Sequence, residues 1–150
     1  MLRDTIKSAQ ISAMKAGDKP RLAAVRLILA KIKDRDIELR TGKAPDNDDD
    51  LVTDVLQKMA KQRRESIEMY EHGGRQELAD QEKGELAVIE EFLPAQMSEA
   101  EVAAAIEAIK AEVGAESIKD MGKVMGALKA RHGAEMDMGK ASALVKASFN

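Results

Sequence analysis

The sequence predicts an all-α fold: an N-terminal four-helix unit with long helices, then a compact C-terminal three-helix unit. Three observations carry this. Apolar residues recur at helical spacing through most of the 150 residues. The period-two alternation that marks half-buried strands is nearly missing. Helix start and stop signals follow one another along the chain.

The first helix spans Leu2–Lys15, with Leu2, Ile6, Ala9, Ala13 and Met14 at helical spacing and Gly17 as its stop. Asp18 is placed to cap the second helix, and Pro20 falls in its first turn. A missing N–H costs little there, because that group has no intrahelical partner anyway. The apolar stripe of the second helix runs Leu22, Val25, Ile28, Leu29, Ile32, and the helix ends near Arg40, ahead of Gly42 and Pro45. Thr41–Asp50 reads as a loop, and its run Asp48-Asp49-Asp50 suits the positive end of the next helix dipole. The third helix carries Val52, Val55, Leu56, Met59, Ile67 and Tyr70 and stops at Gly73-Gly74. The fourth places Leu78, Leu86, Ile89 and Phe92 on one side, while Gly84 weakens its middle by about 1 kcal/mol relative to Ala.

Pro94 marks a boundary, so residues 1–93 and 95–150 are expected to form separate units. Ser98-Glu99-Ala100-Glu101 is a capping box, with Met97 and Val102 placed as the hydrophobic staple, and its helix runs to about Glu112. Ser117 and Asp120 repeat a box-like start for a helix ending near His132-Gly133. Asp137 caps a last short helix to about Phe149.

Composition narrows the function. The chain is 34% charged with a net charge of −3. A weakly acidic chain is no general polyanion binder, although local basic patches remain open to it. Tyr70, Phe92 and Phe149 are its only aromatics. That excludes single-strand binding that rests on several stacked bases. There is no Cys, which removes disulfides, zinc–thiolate sites and cysteine nucleophiles and suits a reducing compartment. Met1–Lys7 alternates charged and apolar residues, so no signal peptide is expected. No stretch approaches about 18 uncharged apolar residues, so no membrane span is expected and a cytoplasmic location is.

Catalytic patterns are hard to find. His72 and His132 stand at helix ends beside glycines, where a capping or dipole role competes with metal binding, and no HExxH or His-rich spacing accompanies them. No metal site and no cofactor is therefore expected. Gly122-Lys123 and Gly139-Lys140 hint at phosphate loops. A Walker motif, however, needs a Gly five residues before the paired Gly and a Ser or Thr after the Lys. Those positions hold Ser117 and Val124, or Ala134 and Ala141. Glu90-Glu91 beside Phe92 is the most suggestive carboxylate pair, with a solvated helix end as the alternative.

The charge is unevenly spread. Residues 1–43 carry +6, residues 44–116 carry −12 and residues 117–150 carry +3. In the second helix Lys19, Arg26, Lys33 and Arg40 recur every seven residues, which returns them to nearly one face. That stripe is either a solvated face with i,i+4 ion pairs or a phosphate footprint. In the sixth helix Lys119 and Lys123 lie together, with Lys129 and Arg131 near its end, and Gly122, Gly126 and Ala130 form a row of small residues. Such a row lets another backbone approach closely, whether a neighbouring helix or a nucleic acid. Lys140 and Lys146 extend the basic character into the last helix.

Several runs resemble the bacterial YqeY family. They are Arg26-Leu27-Ile28-Leu29-Ala30-Lys31-Ile32-Lys33-Asp34-Arg35-Asp36-Ile37-Glu38, then Val55-Leu56-Gln57-Lys58-Met59-Ala60-Lys61-Gln62-Arg63-Arg64-Glu65-Ser66 with Tyr70-Glu71 and Gly74-Arg75. Phe92-Leu93-Pro94-Ala95-Gln96-Met97-Ser98 resembles the family's interdomain junction, and Ser117-Ile118-Lys119-Asp120-Met121-Gly122-Lys123-Val124-Met125 its C-terminal motif. The resemblance implies two all-helical parts. It also implies kinship of the C-terminal part with the tail domain of GatB, a subunit of the glutamine-dependent amidotransferase acting on mischarged glutamyl- or aspartyl-tRNA. Family labels attach carbon–nitrogen ligase activity with glutamine as amido donor, which the residues here do not support as an independent activity.

Carried over by position, Lys119 and Lys123 become candidates for contact with tRNA or another structured RNA. Lys129, Arg131, Lys140 and Lys146 would add phosphate contacts, and Gly122 and Gly126 would allow close approach. Two other readings stand beside this one. The chain could be a helical protein–protein adaptor, or an accessory partner of amidotransferase subunits with no RNA contact of its own.

Overall fold

The computed structural model describes residues 1–43 and 45–149, and no strand occurs among them. Two compact units result, Met1–Leu93 and Pro94–Asn150. The first holds α1 (Leu2–Ala16), α2 (Lys19–Glu38), a 3-10 turn (Leu39–Thr41), α3 (Asp48–His72) and α4 (Gln76–Glu91). The second holds α5 (Glu99–Val113), a 3-10 turn (Ile118–Asp120), α6 (Met121–His132) and α7 (Met138–Ser148).

Local chemistry explains most of the boundaries. Gly17 ends α1 in the left-handed conformation at φ 68°, which a side chain would disfavour, and its N–H returns to the carbonyls of Ala13 and Met14. The Asp18 carboxylate accepts from the Arg21 N–H, and Pro20 sits in the first turn of α2. Ser98 and Glu101 complete both halves of the capping box on α5. The Asp120 carboxylate accepts from the N–H groups of Glu116 and Ser117, ordering the chain ahead of α6. Asp137 accepts from the Gly139 N–H at the start of α7.

Three boundaries differ from the sequence reading. The helix expected to start at Ser117 begins at Met121, because Ile118–Asp120, Lys119 among them, forms a 3-10 turn ahead of it. The helical backbone of α2 stops at Glu38, and Arg40 lies in the 3-10 turn that follows. The expected loop Thr41–Asp50 ends earlier, because the Asn47 side chain accepts from the Asp49 N–H and starts α3 at Asp48. The three aspartates thus form the first turn of α3. Two of them also act at a distance. The Asp49 carboxylate accepts from the Leu2 N–H (2.9 Å), capping α1, which has no side-chain cap of its own.

Asp48 joins a clamp around Arg3. The Arg3 guanidinium donates to both carboxylate oxygens of Asp36 (2.8 and 3.0 Å) and to both of Asp48 (2.8 and 3.0 Å). One side chain of α1 therefore ties α2 to α3. Hydrogen bonds from Arg3 hold both aspartates below the usual carboxylate range.

The interior is aliphatic, and among the described residues no polar or charged residue is buried as a whole. In the first unit Ile6, Val25, Ile28, Ile32, Val52, Leu56 and Ile89 form the centre of the core. Charge lines its edges. The Arg63 Nε lies 3.0 Å from Glu82 Oε2 and 2.8 Å from Glu85 Oε2, joining α3 to α4. The contact is Coulombic rather than an aligned hydrogen bond, and burial pushes the Glu82 carboxyl up. In the second unit Val102, Ile106, Ile109, Val124, Leu128, Ala141 and Val145 form the core. Lys110 covers its rim, donating to the Ser148 carbonyl (2.9 Å) and lying 4.4 Å from the Phe149 ring centroid. A cation at that carbonyl favours the negative end of α7.

The clamp predicts a pH signature. Asp36 and Asp48 have lowered values in the folded chain, so their contribution is complete well above the ordinary aspartate value of 3.8 and is lost as pH falls through and below it. Arg3→Ala should cost about 1–2 kcal/mol at neutral pH, after allowance for the part-exposed partners. Urea melts of wild type and variant should converge as pH drops from about 5 towards 2. A difference that stays constant across that range would exclude the clamp as its source.

Candidate nucleic-acid interface

The C-terminal site is set by which face of α6 is buried. Val124 and Leu128 are both 0% exposed, anchored in the core with α5 and α7. At 3.6 residues per turn, Gly122, Lys123, Gly126, Lys129 and Ala130 then share an arc of roughly 120° on the opposite side. All five are exposed. Lys119, also exposed, comes from the 3-10 turn that leads into the helix.

The row of small residues meets no neighbouring helix. A Cβ added at Gly122 or at Gly126 would touch nothing within 4 Å. Each glycine weakens the helix by roughly 0.5–1 kcal/mol relative to Ala, and no packing within the unit offsets it. The face is therefore flat, backbone-rich and open. Among the described residues, Lys119, Lys123 and Lys129 form no ion pair. Asp120 is an acid that feels one of them. It is held below its usual range first by the backbone N–H groups of Glu116 and Ser117, and Lys123 adds a smaller Coulombic effect.

The other candidate cations fall elsewhere. Arg131 lies outside the arc, and its guanidinium makes a two-pronged pair with Glu112 (2.6 and 2.7 Å). Each partner moves the other towards its charged form. Lys140 and Lys146 are exposed on α7, but six residues apart they point about 120° away from each other. Helix geometry thus puts Lys123 and Lys129 with Gly122 and Gly126 on one exposed face of α6; Lys119 is exposed on the turn ahead of that helix, Arg131 lies outside the arc, and Lys140 and Lys146 belong to α7.

In the first unit Lys19, Arg26, Lys33 and Arg40 are exposed. None forms an ion pair among the described residues. The i,i+4 partners imagined for a solvated face are absent because Leu22, Ala30, Leu29 and Ile37 occupy those positions around Arg26 and Lys33. Arg40 contributes only a Coulombic effect on Asp36.

The remaining candidates resolve into structural roles. Glu91 accepts from Arg21 (2.7 Å) and Glu90 from Arg64 (3.2 Å), so that carboxylate pair links α4 to α2 and α3. The His132 Nδ1 lies 3.2 Å from Glu135 Oε2, and His72 is the last residue of α3. Among the described residues no group of three or more His, Cys, Asp or Glu could hold a metal ion. Among the same residues no helix is long and apolar enough to cross a membrane.

The family model described as Yqey-like protein matches residues 3–149. No curated protein matches the chain.

The open glycine row predicts a stabilising substitution. Gly126→Ala should raise unfolding free energy by about 0.5–1 kcal/mol, since the new methyl meets no neighbour and helix propensity improves. A thermal melt checks this, and a loss of stability would show that the face is packed after all.

Proposed function

The chain belongs to the YqeY family, and from that footing we propose that its C-terminal unit is a non-catalytic module for structured RNA. The observation that carries the reading is the open face of α6. Lys123 and Lys129, without ion pairs, flank Gly122 and Gly126 opposite the buried Val124 and Leu128, and Lys119 is exposed on the turn just ahead. An RNA duplex presents closely spaced phosphates and 2′-hydroxyls on a broad, shallow groove. A helix whose backbone is uncovered can approach that groove, with Lys119, Lys123 and Lys129 reaching phosphates on either side. Such contacts read shape and charge. They supply no base-edge hydrogen bonds and so no sequence preference of their own.

The resemblance of this unit to the tail domain of GatB supports tRNA as the RNA and association with tRNA-dependent amidation as the setting. The residues placed on the α6 face carry ammonium groups and glycine backbone, which bind but do not activate an ammonia donor. In this reading amidotransferase chemistry belongs to a partner enzyme, and the chain contributes recognition. Arg131 contributes less than the three lysines because Glu112 already neutralises it.

Titration of a labelled tRNA transcript tests this. Three phosphate contacts predict affinity falling by about 2–3 log units per log unit of salt. Lys119→Glu with Lys123→Glu should abolish binding, while Arg131→Ala should change it little. Gly126→Leu should weaken binding while leaving the melting temperature at or above that of wild type. Salt-independent binding, or binding indifferent to the double charge reversal, overturns the reading.

A further inference from the structure

The N-terminal unit offers a second surface of different chemistry. The short connection at Gly17-Asp18 makes α1 and α2 an antiparallel hairpin, and a groove of about 490 Å³ runs between them. Ile11, Leu29 and Ile32 supply its apolar lining, and Lys7 and Lys33 its lysines; neither forms an ion pair among the described residues, and Lys7 exerts only a small Coulombic effect on Asp48. The Arg3–Asp36 pair lies at the open end of the hairpin. Ile11 is 53% exposed, and Met14, one turn on, is 54% exposed. Leaving such side chains in water forgoes roughly 25 cal/mol for each Å² that a partner would cover.

We propose that this groove is the docking site for an acidic amphipathic helix of another protein. The inference goes beyond RNA recognition and uses different residues. Charge complementarity selects the occupant. Residues 1–43 carry +6, and because Arg3 is engaged by Asp36 and Asp48, Lys7 and Lys33 decide the sign at the groove. Arg26 and Lys19 continue it along the exposed side of α2. An apolar stripe flanked by carboxylates fits both features, with aliphatic anchors at Ile11 and Leu29 and acids opposite the lysines. A nucleic acid would meet the cations but leave the aliphatic lining without a partner.

A second copy of the chain fits poorly. Its acidic helices already use Glu71, Glu82, Glu85, Glu90 and Glu91 in internal ion pairs. Ile67, Ala79 and Ile89 of those helices are buried in their own unit.

The test uses the full chain and a fluorescein-labelled synthetic helix of about 18 residues, roughly 27 Å long. It carries Leu at i, i+3, i+4 and i+7 and Glu at the flanking positions. A peptide of the same composition in scrambled order is the control. Saturable binding of the amphipathic peptide alone is expected. Lys7→Glu with Lys33→Glu should weaken it at least tenfold, as should Ile11→Glu, whose exposed position leaves the melting temperature near that of wild type. Lys119→Glu with Lys123→Glu should leave peptide binding unchanged, which separates this result from the RNA reading. Four outcomes overturn the proposal: no binding of either peptide; equal binding of the scrambled peptide; displacement of the peptide by an RNA oligonucleotide acting through Lys7 and Lys33; or self-association abolished by Ile11→Glu.

Discussion

The burial of Val124 and Leu128 orients α6, and the functional reading depends on that orientation. Both side chains are fully enclosed with Val102, Ile106, Ile109 and Val145. Turning the helix to hide its glycines would expose those two residues, at roughly 1.5–3 kcal/mol for each. The face with Gly122, Gly126, Lys123 and Lys129 therefore looks outward because of what lies behind it. Gly122 in the first turn and Gly126 near the middle of this 12-residue helix work against its stability. Their openness within the unit makes an external contact the natural source of compensation.

A second constraint shapes the N-terminal unit. Its core is aliphatic and contains no wholly buried polar residue, so specificity between helices rests on charges at the margins. Arg3 ties α1 to α2 and α3, Arg63 ties α3 to α4, and Arg21 ties α2 to α4. Asp48, Glu82, Glu85 and Glu91 of the acidic stretch 44–116 are engaged in these ties. The exposed lysines and arginines of α2 are left uncompensated locally. A chain with a net charge of only −3 thereby carries exposed cations in each unit. The two surfaces are not alike. On α6 the cations flank bare backbone, which suits a polyanion, whereas between α1 and α2 they flank aliphatic side chains, which suits an amphipathic helix.

Most of the secondary structure was legible in the sequence. Gly17, Asp18, Ser98 and Asp137 act within a few residues of themselves, so their side chains announce helix ends without reference to the rest of the fold. The Asp48-Asp49-Asp50 run was legible only in part. Its preference for a helix start is local, and Asn47 set that start earlier than the loop composition suggested. Its larger role is not local. Asp49 caps a helix 47 positions away, and Asp48 meets Arg3 across 45. Glu90 and Glu91 read as a free carboxylate pair for the same reason, since Arg64 and Arg21 are 26 and 70 positions distant.

For the candidate sites, the sequence by itself determined which helices carry cations and which residues lack a side chain. It also determined the local caps and the aliphatic stripes, because periodicity and capping are short-range effects of helix geometry. Only the tertiary structure decided which of those cations are free. Arg131 is engaged by Glu112 across 19 positions, while Lys119, Lys123 and Lys129 form no ion pair among the described residues. It also decided that the small-residue row faces outward, and that Ile11 and Leu29 line a groove with Lys7 and Lys33. The physical reason is common to all of these. Ion pairs and burial are properties of surfaces that meet in space, and the helix packing that brings those surfaces together is driven by apolar burial, which does not specify individual charge partners.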